Sequence, residues 1–188
     1  MAKKIRQSIL QSIPDVTVLL ARDSDKTLYL MERAQFANSN KGDLFISLHC
    51  NAGSNSASGV ETYYFSLSEE DETERTVRLL ENKSEFISKP GESYNTIDFI
   101  TADMTQINHV NASISFASLI QRKILEKNLS RNRGIKKARF FVLKDVYMPS
   151  ALIEIGFISN KNEEEALMNE TFQTELANAI TEAIKQLR

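Results

Sequence analysis

Two polar side chains of this sequence lie where chemistry is expected. His49 directly follows the apolar run 44–48, which we predict to be a buried strand. Glu154 lies inside a second apolar run, 151–157. A carboxylate is costly there unless it is paired, bound to a metal or open to a cleft. Ligands of open α/β sheets bind at the carboxyl ends of the strands, so His49 is a candidate for a metal or acid–base site. The carboxylate held in apolar surroundings makes Glu154 a candidate general base.

Each residue also has a simpler interpretation. A single histidine is often a hydrogen-bonded structural group, and for His49 the structural and the metal or acid–base interpretations both stay open. Glu154 would be unremarkable on an edge strand, facing water. Its neighbours do not alternate polar with apolar, however, which favours a strand that is buried on both faces. We therefore interpret Glu154 as a functional carboxylate.

The two residues after His49 carry separate expectations. Adjacent strand residues point to opposite faces, so Cys50 and His49 should not form a close nucleophile–base pair. We expect Cys50 to be a buried small hydrophobe instead. Asn51 should face the same side as His49, which makes it a candidate substrate-binding residue.

The elements that must position these residues alternate between short apolar runs and amphipathic helices. We predict strands at 16–20, 44–48, 60–65, 140–143 and 151–155, and we predict a basic loop at 128–137. Strands that alternate with helices indicate an α/β fold. We expect a mostly parallel, twisted sheet of about five to six strands, with helices on both faces.

Composition excludes several classes of protein and site. The 188 residues fit one domain, and a formal net charge of −2 provides no basic field for nucleic acid. One cysteine and two histidines exclude a multi-thiolate site and a three-imidazole site, so any catalytic metal must rely on carboxylates. No run approaches the roughly 18 apolar residues of a transmembrane helix, and no signal-peptide pattern is visible.

The motifs around both residues resemble those of a known family. DLFISLHCNA, residues 43–52, resembles the second histidine motif of the zinc-dependent N-acetylmuramoyl-L-alanine amidases of type 3. MPSALIEIGFISN, residues 148–160, closely resembles their catalytic-glutamate motif, and residues 59–64 and 133–143 are similar to intervening stretches. The resemblance extends over nearly the whole chain, which we interpret as a single amidase catalytic domain over residues 1–188.

The resemblance implies a role for each matching residue. His49 would be a zinc ligand and Glu154 the catalytic carboxylate. Zinc would polarise the scissile carbonyl and lower the pKa of its water, and Glu154 would take the proton. The bond cut would be the amide between N-acetylmuramic acid and L-alanine of the peptidoglycan stem peptide. Such an enzyme remodels the cell wall and separates daughter cells, so we expect export to the periplasm or the extracellular wall.

One departure from the family concerns the start of the chain. The family opens with a strand carrying Gly-His-Gly and, later, a glutamate at the first helix, and these supply the other two zinc ligands. Residues 3–13 resemble only the rear of that helix. We therefore expect an N-terminally incomplete domain that is inactive in this form. The alternative is a non-catalytic peptidoglycan-binding or regulatory domain on the same scaffold.

A second feature is the stretch from about residue 67 to residue 106. It resembles the inserted helical segment of the cell-division amidases, which covers the active site until an activator protein displaces it. Residues 76–87 have helical periodicity. We hypothesise that a glutamate such as Glu81 reaches the metal from this helix and blocks it. The alternative is an ordinary solvated helix glutamate.

Overall fold

The computed structural model describes residues 1–83 and 109–187. Four strands lie in this part of the chain: β1 Phe45–Asn51, β2 Val60–Phe65, β3 Asn132–Ala138 and β4 Ser150–Phe157. Its helices are α1 Ala2–Ser12, α2 Leu30–Ser39, α3 Glu72–Glu81, α4 Val110–Glu126, α5 Phe141–Lys144, α6 Lys161–Met168 and α7 Glu170–Leu187.

The strands form one open sheet in the order β1-β4-β2-β3. β1 pairs with β4 and β2 pairs with β3 in parallel, whereas β2 and β4 are antiparallel. The predicted α/β class with a mostly parallel sheet is confirmed. Within the described residues the sheet has four strands, against the five to six that the sequence pattern predicted.

Helices cover both faces of the sheet, as predicted. On one face Ile153 and Ile155 of β4 join a core formed with α1, α4 and α7. On the other face Leu152 packs with Tyr63 of β2 and with Val77 of α3. Because successive strand residues alternate between faces, an apolar residue is needed at nearly every position of β4. This explains why its apolar run is continuous and why Glu154 is exceptional within it.

Three local predictions were wrong. Residues 16–20 lie outside the sheet. Val16 and Val18 pack against the core, but Leu19, which follows them, is 51% exposed. Residues 140–143 contribute to the short helix α5 rather than to a strand. The strand of that region is β3, which lies in the stretch predicted to be a basic loop. The charged residues of β3 are typical of a loop in sequence. They are accommodated because β3 is an edge strand and two of its cations pair with a buried carboxylate, described below.

Helix α3 begins with a capping box that involves Asp71 and Glu74. The Asp71 carboxylate accepts from the Glu74 N–H at 2.7 Å, and the Glu74 carboxylate accepts from the Asp71 N–H at 2.8 Å. These bonds satisfy backbone donors that an uncapped helix start leaves free. The helix ends at Glu81, and residues 84–106 of the predicted insert lie outside the described residues.

Side chains of α3 also pair with the chain at and after β3. Glu74 accepts from the Lys137 N–H at 3.1 Å, and Glu70, just before the helix, accepts from the Arg139 N–H at 2.8 Å. Asn82, just after it, donates to the Arg139 carbonyl at 2.7 Å and accepts from the Phe141 N–H at 2.9 Å. Side chains at both ends of α3 thus take the place of a neighbouring strand.

Candidate active site

Three polar residues form a row across neighbouring strands. His49 of β1 lies beside Glu154 of β4, and Glu154 lies beside Glu61 of β2. Residues in register on adjacent strands present their side chains on the same face of the sheet. The row therefore lies on a single face, and α3 packs over that face.

His49 contacts an acidic residue of α3. Its Nδ1 lies 2.5 Å from Oε2 of Glu81, and its Nε2 lies 2.9 Å from the Ser47 hydroxyl oxygen. Because a carboxylate only accepts hydrogen bonds, Nδ1 carries a proton in this contact, and in a neutral ring Nε2 then accepts from Ser47. The His49 and Glu81 side chains are only 15% and 23% exposed, so little solvent weakens their attraction.

Glu154 has no hydrogen-bonding partner among the described residues. It is fully buried, and both of its carboxylate oxygens lack a partner there. Burial is the main cause that raises the pKa of Glu154 to about 9, and the charges of Glu81 and Glu61 add to it. A carboxyl group that is held without donors in an apolar strand is basic enough to take a proton once it is ionised.

The site offers ligands that suit a divalent metal ion. Ligand atoms of His49, Glu81 and Glu154 all lie within 4.8 Å of one another. One imidazole with carboxylates is a donor set that zinc accepts in proteins. The unpartnered carboxylate of Glu154 supports the same interpretation, because a buried acid without donors is stabilised by a nearby cation. The residues present therefore fit a metal.

Glu61, which the sequence analysis did not single out, has the opposite environment to Glu154. Its Oε1 accepts from Arg133 Nε at 2.6 Å and from Lys136 Nζ at 2.9 Å. Its Oε2 accepts from the Tyr63 hydroxyl at 2.8 Å. Burial would raise the pKa of Glu61, but hydrogen bonds from Lys136, Arg133 and Tyr63 outweigh it and hold the pKa below its ordinary value. One signal could have revealed Glu61: it is an acid inside an apolar strand, like Glu154.

Asn51 lies on the same face as the row. Its Nδ2 donates to Oε2 of Glu61 at 3.1 Å, and its Oδ1 accepts from the Ala52 N–H at 2.8 Å. The side chain is 3% exposed, although the register shifts between His49 and Asn51. Two of the four hydrogen bonds that its amide can make are already formed, and its substrate-binding role stays a prediction.

The expected burial of Cys50 was wrong, because the residue is exposed. A strand residue is buried only where neighbouring elements cover both faces and both edges of the strand. β1 is the edge strand of the described sheet, and Cys50 lies one residue before its end.

Comparison with known proteins decides the family. The sequence profile described as N-acetylmuramoyl-L-alanine amidase matches residues 1–186. The chain belongs to this family. The resemblance indicated by the histidine and glutamate motifs is thereby confirmed.

Individual relatives agree with the family. The chain is 32% identical to the N-acetylmuramoyl-L-alanine amidase AmiC of Escherichia coli O6:H1, over 98% of this chain and 45% of AmiC. It matches the solved N-acetylmuramoyl-L-alanine amidase of Clostridium difficile 630 with a TM-score of 0.72 and 26% identity, over 98% of this chain and 77% of that one. The CwlD amidase of Clostridioides difficile, solved in complex with the GerS lipoprotein, shares the fold with a TM-score of 0.66 and 24% identity, over 98% and 81% of the two chains.

The amidase-family chain spans less than two thirds of the length of two curated relatives that it matches, 45% of AmiC and 60% of the Bacillus subtilis protein YqiI. In the described part of the chain, no helix combines the length and the apolar character that crossing a membrane requires.

Proposed function

We propose that this amidase-family protein is a zinc-dependent hydrolase of the amide bond between N-acetylmuramic acid and L-alanine in peptidoglycan stem peptides. One observation carries the proposal: His49 and Glu154 are neighbours in register on β1 and β4, and Glu154 is a buried carboxylate without a donor. Family membership supplies the bond that would be cut.

In this proposal each residue of the site has a separate task. His49 would hold zinc through the nitrogen that now faces Glu81, while Ser47 keeps the imidazole in its orientation. Bound zinc would supply Lewis acidity at the scissile carbonyl and a water of lowered pKa. Glu154 would act as the general base and later pass its proton to the leaving amine. Asn51 would contact the substrate at the edge of the site.

Metal analysis and wall digestion test this function together. Full-length protein should release stem peptides from purified sacculi, and a chelator should stop the release. His49→Ala should lose bound zinc after dialysis, because the site would keep only carboxylates. His109→Ala is the matched control, since the other histidine lies at the start of α4 and its side chain makes no capping bond. Full retention of zinc by His49→Ala would reject His49 as a ligand. If the wild-type protein left the sacculi intact, the alternative of a non-catalytic wall-binding domain would be favoured.

We also propose that α3 is an autoinhibitory cover, as expected for an inserted regulatory segment over residues 67–106. The contact between Glu81 and His49 supports this, because it occupies the ring nitrogen that a metal or substrate needs. An activator protein would free the site by displacing the helix. The CwlD neighbour, which is solved in complex with a lipoprotein, is an example of a partner bound to this fold.

Glu81→Gln tests the cover without removing the helix. Loss of the charge should weaken the hold on His49 and raise basal hydrolysis of sacculi in the absence of an activator. Glu72→Gln is the matched control, because Glu72 is exposed on the first turn of the same helix. Deletion of residues 69–105 should raise the rate further. Unchanged basal rates in both variants would remove the cover from the proposal.

The substrate also sets the compartment. Peptidoglycan lies outside the cytoplasmic membrane, so the proposed activity requires export to the periplasm or the extracellular wall. Wall remodelling during cell division is the process that we propose for it. Fractionation of cells that produce the full-length protein should recover it outside the cytoplasm.

A further inference from the structure

The row of active-site residues continues past Glu61 to a pair of cations on β3. Arg133 and Lys136 both donate to Oε1 of Glu61, and their side chains are 24% and 14% exposed. Arg133 stacks over the Phe157 ring at 5.0 Å, and Lys136 lies 5.9 Å from the centre of the Tyr63 ring. The two cations are therefore held in place and remain within reach of a ligand.

A cleft opens beside Arg133, and Lys136 contacts the Glu61 carboxylate that also lines it. Its sheet side includes Asn51, Glu61, Arg133 and Phe157. Its other wall belongs to α3, which contributes Thr73, Thr76 and Val77. The cleft thus lies beneath the same helix whose Glu81 contacts His49, so a molecule that displaced α3 from the row would meet both places.

The charges of the pair are not fully balanced by the sheet. Two cations share one carboxylate, and Glu61 uses both of its oxygens on four donors, including Tyr63 and Asn51. Within the described residues, the Arg133 side chain makes one other hydrogen bond, a long one of 3.4 Å to the Ser58 carbonyl. The Lys136 side chain makes no hydrogen bond there other than the one to Glu61. Donors therefore remain for an additional acceptor.

Helix α3 supplies a second negative group at this end of the row. Glu74 lies two helical turns before Glu81, and residues seven apart share one helix face. Glu74 is buried and accepts from the Lys137 N–H, so it lies beside the β3 residue that follows Lys136. The closed helix therefore places one carboxylate at each end of the row. Its withdrawal would remove both and leave one uncompensated positive charge beside Glu61.

We propose that Arg133 and Lys136 form a binding site for the carboxylate of the acidic residue that follows L-alanine in the stem peptide. This inference rests on the proposed function and names the part of the substrate that the cleft would take. Two strand spacings separate β3 from β4, about 10 Å. Two extended peptide residues span about 7 Å, and long cationic side chains cover the rest. Arginine and lysine are the usual partners of a peptide carboxylate.

Two muramoyl dipeptides that differ only at this group test the site. One carries the free α-carboxylate on its second residue, and the other carries the carboxamide. Full-length protein with Glu81→Gln, to open α3, and Glu154→Gln, to prevent turnover, is titrated with each by calorimetry. The acid should bind about 10-fold more tightly than the amide, the scale of one charge-assisted hydrogen bond. Raising the ionic strength should reduce the difference.

The variants show whether the cation pair causes the preference. Arg133→Gln and Lys136→Gln should each reduce it to less than about threefold. Arg131→Gln, an exposed arginine two residues before Arg133, should keep it. Any structural loss around Glu61 weakens both ligands alike, so the ratio of the two dissociation constants reports the charge contact alone. Equal binding of the two ligands, a preference that survives both substitutions, or no binding of either ligand would overturn the site.

Hydrolysis separates this inference from the function on which it rests. Protein that carries only Glu81→Gln is incubated with both dipeptides, and release of the peptide is measured. Cleavage of both at equal efficiency would overturn the carboxylate site and leave the amidase proposal standing. A binding preference for the acid without cleavage of either ligand or of sacculi would overturn the amidase proposal and leave the site.

Discussion

Glu61 and Glu154 are neighbouring carboxylates on adjacent strands, and their hydrogen-bonding environments are opposite. Both are fully buried and lie in register on β2 and β4. Glu61 receives four hydrogen bonds, two of them from cations, and its pKa is held below the ordinary value. Glu154 receives none from the described residues, and burial is the main cause that raises its pKa to about 9.

The difference separates an acid that is stabilised in its charged form from the acid that we propose to be the reactive one. Hydrogen bonds to a carboxylate stabilise its charged form and reduce its tendency to take a proton. An acid without donors keeps that tendency at a cost to stability, and such acids are typical of functional sites. The side of the row near His49 is therefore suited to proton transfer, and the side near Arg133 is suited to holding charge in place.

The largest expected effect comes from removing the reactive acid. Glu154→Gln should lower hydrolysis of sacculi by a factor of about 10² to 10⁴, the usual contribution of a general base. Bound zinc should be retained in the full-length protein, because this proposal makes Glu154 the base and leaves the zinc ligand His49 unchanged. Turnover and metal content measured on the same preparation check both statements, and wild-type turnover would exclude Glu154 as the base.

The pH dependence of stability should have opposite signs for the two acids. The unfolded pKa of Glu154 is near 4.5, so between about pH 4.5 and 9 the folded, metal-free protein binds the extra proton. Its stability should therefore fall as pH rises through this window, by up to about 1.4 kcal/mol per pH unit. Glu61, whose folded pKa is lowered, contributes stability that is present above pH 4.5 and is lost as pH falls through its folded pKa.

Urea unfolding of metal-free protein at several pH values measures both contributions. Glu154→Gln should flatten the decline toward alkaline pH, because the side chain no longer titrates. The acid limb, to which Glu61 contributes, should keep its slope in that variant. A decline toward alkaline pH that is unchanged in Glu154→Gln would show that another group causes it.

Removal of the structural acid should reduce stability instead of revealing chemistry. Glu61→Ala leaves Arg133 and Lys136 without their carboxylate, and breaking such a buried pair costs about 3 kcal/mol. Chemical denaturation would show this as a lower midpoint. Glu163 is a poor comparison because it accepts from the backbone N–H groups of Gly59 and Phe157, so Glu165→Ala, at an exposed position, serves as the control. Equal midpoints for Glu61→Ala and the control would contradict the structural role.

The smallest expected effect concerns the attachment of α3. Asn82→Ala removes two hydrogen bonds to the backbone after β3 and should cost about 1 kcal/mol locally. Amide hydrogen exchange should then become faster in α3 and stay unchanged in α7. Leu79→Ala, at a position that is 56% exposed on the same helix, should leave the exchange of α3 nearly unchanged. Identical exchange in the two variants would show that Asn82 does not hold the helix.

The reactive half of the row could be predicted from sequence because its signals are local. His49 ends an apolar run and Glu154 interrupts one, and both patterns are visible within ten residues. The α/β class and the helices on both faces followed from the alternation of such runs. The local pattern left the role of His49 open and indicated a functional carboxylate at Glu154. The family motifs implied a zinc ligand and a catalytic carboxylate, and those roles stay predictions.

The other half could not be predicted because its signals are distant. Arg133 and Lys136 lie 72 and 75 residues from Glu61, so their charges suggested a loop and concealed β3. The strand predicted at 16–20 failed for a related reason, because apolar composition does not specify a partner for backbone hydrogen bonds. The burial expected of Cys50 required knowledge of the strand order, which local pattern does not contain.

The way α3 is attached has a consequence for any mechanism that opens the site. Glu70, Glu74 and Asn82 satisfy amides and a carbonyl along the outer side of β3 and the residues after it. When the helix leaves, that strand becomes a bare edge, which in many proteins is a starting point for aggregation. If α3 is the proposed autoinhibitory cover, an activator that withdraws Glu81 must therefore also shield this edge, or the open state will be short-lived in solution.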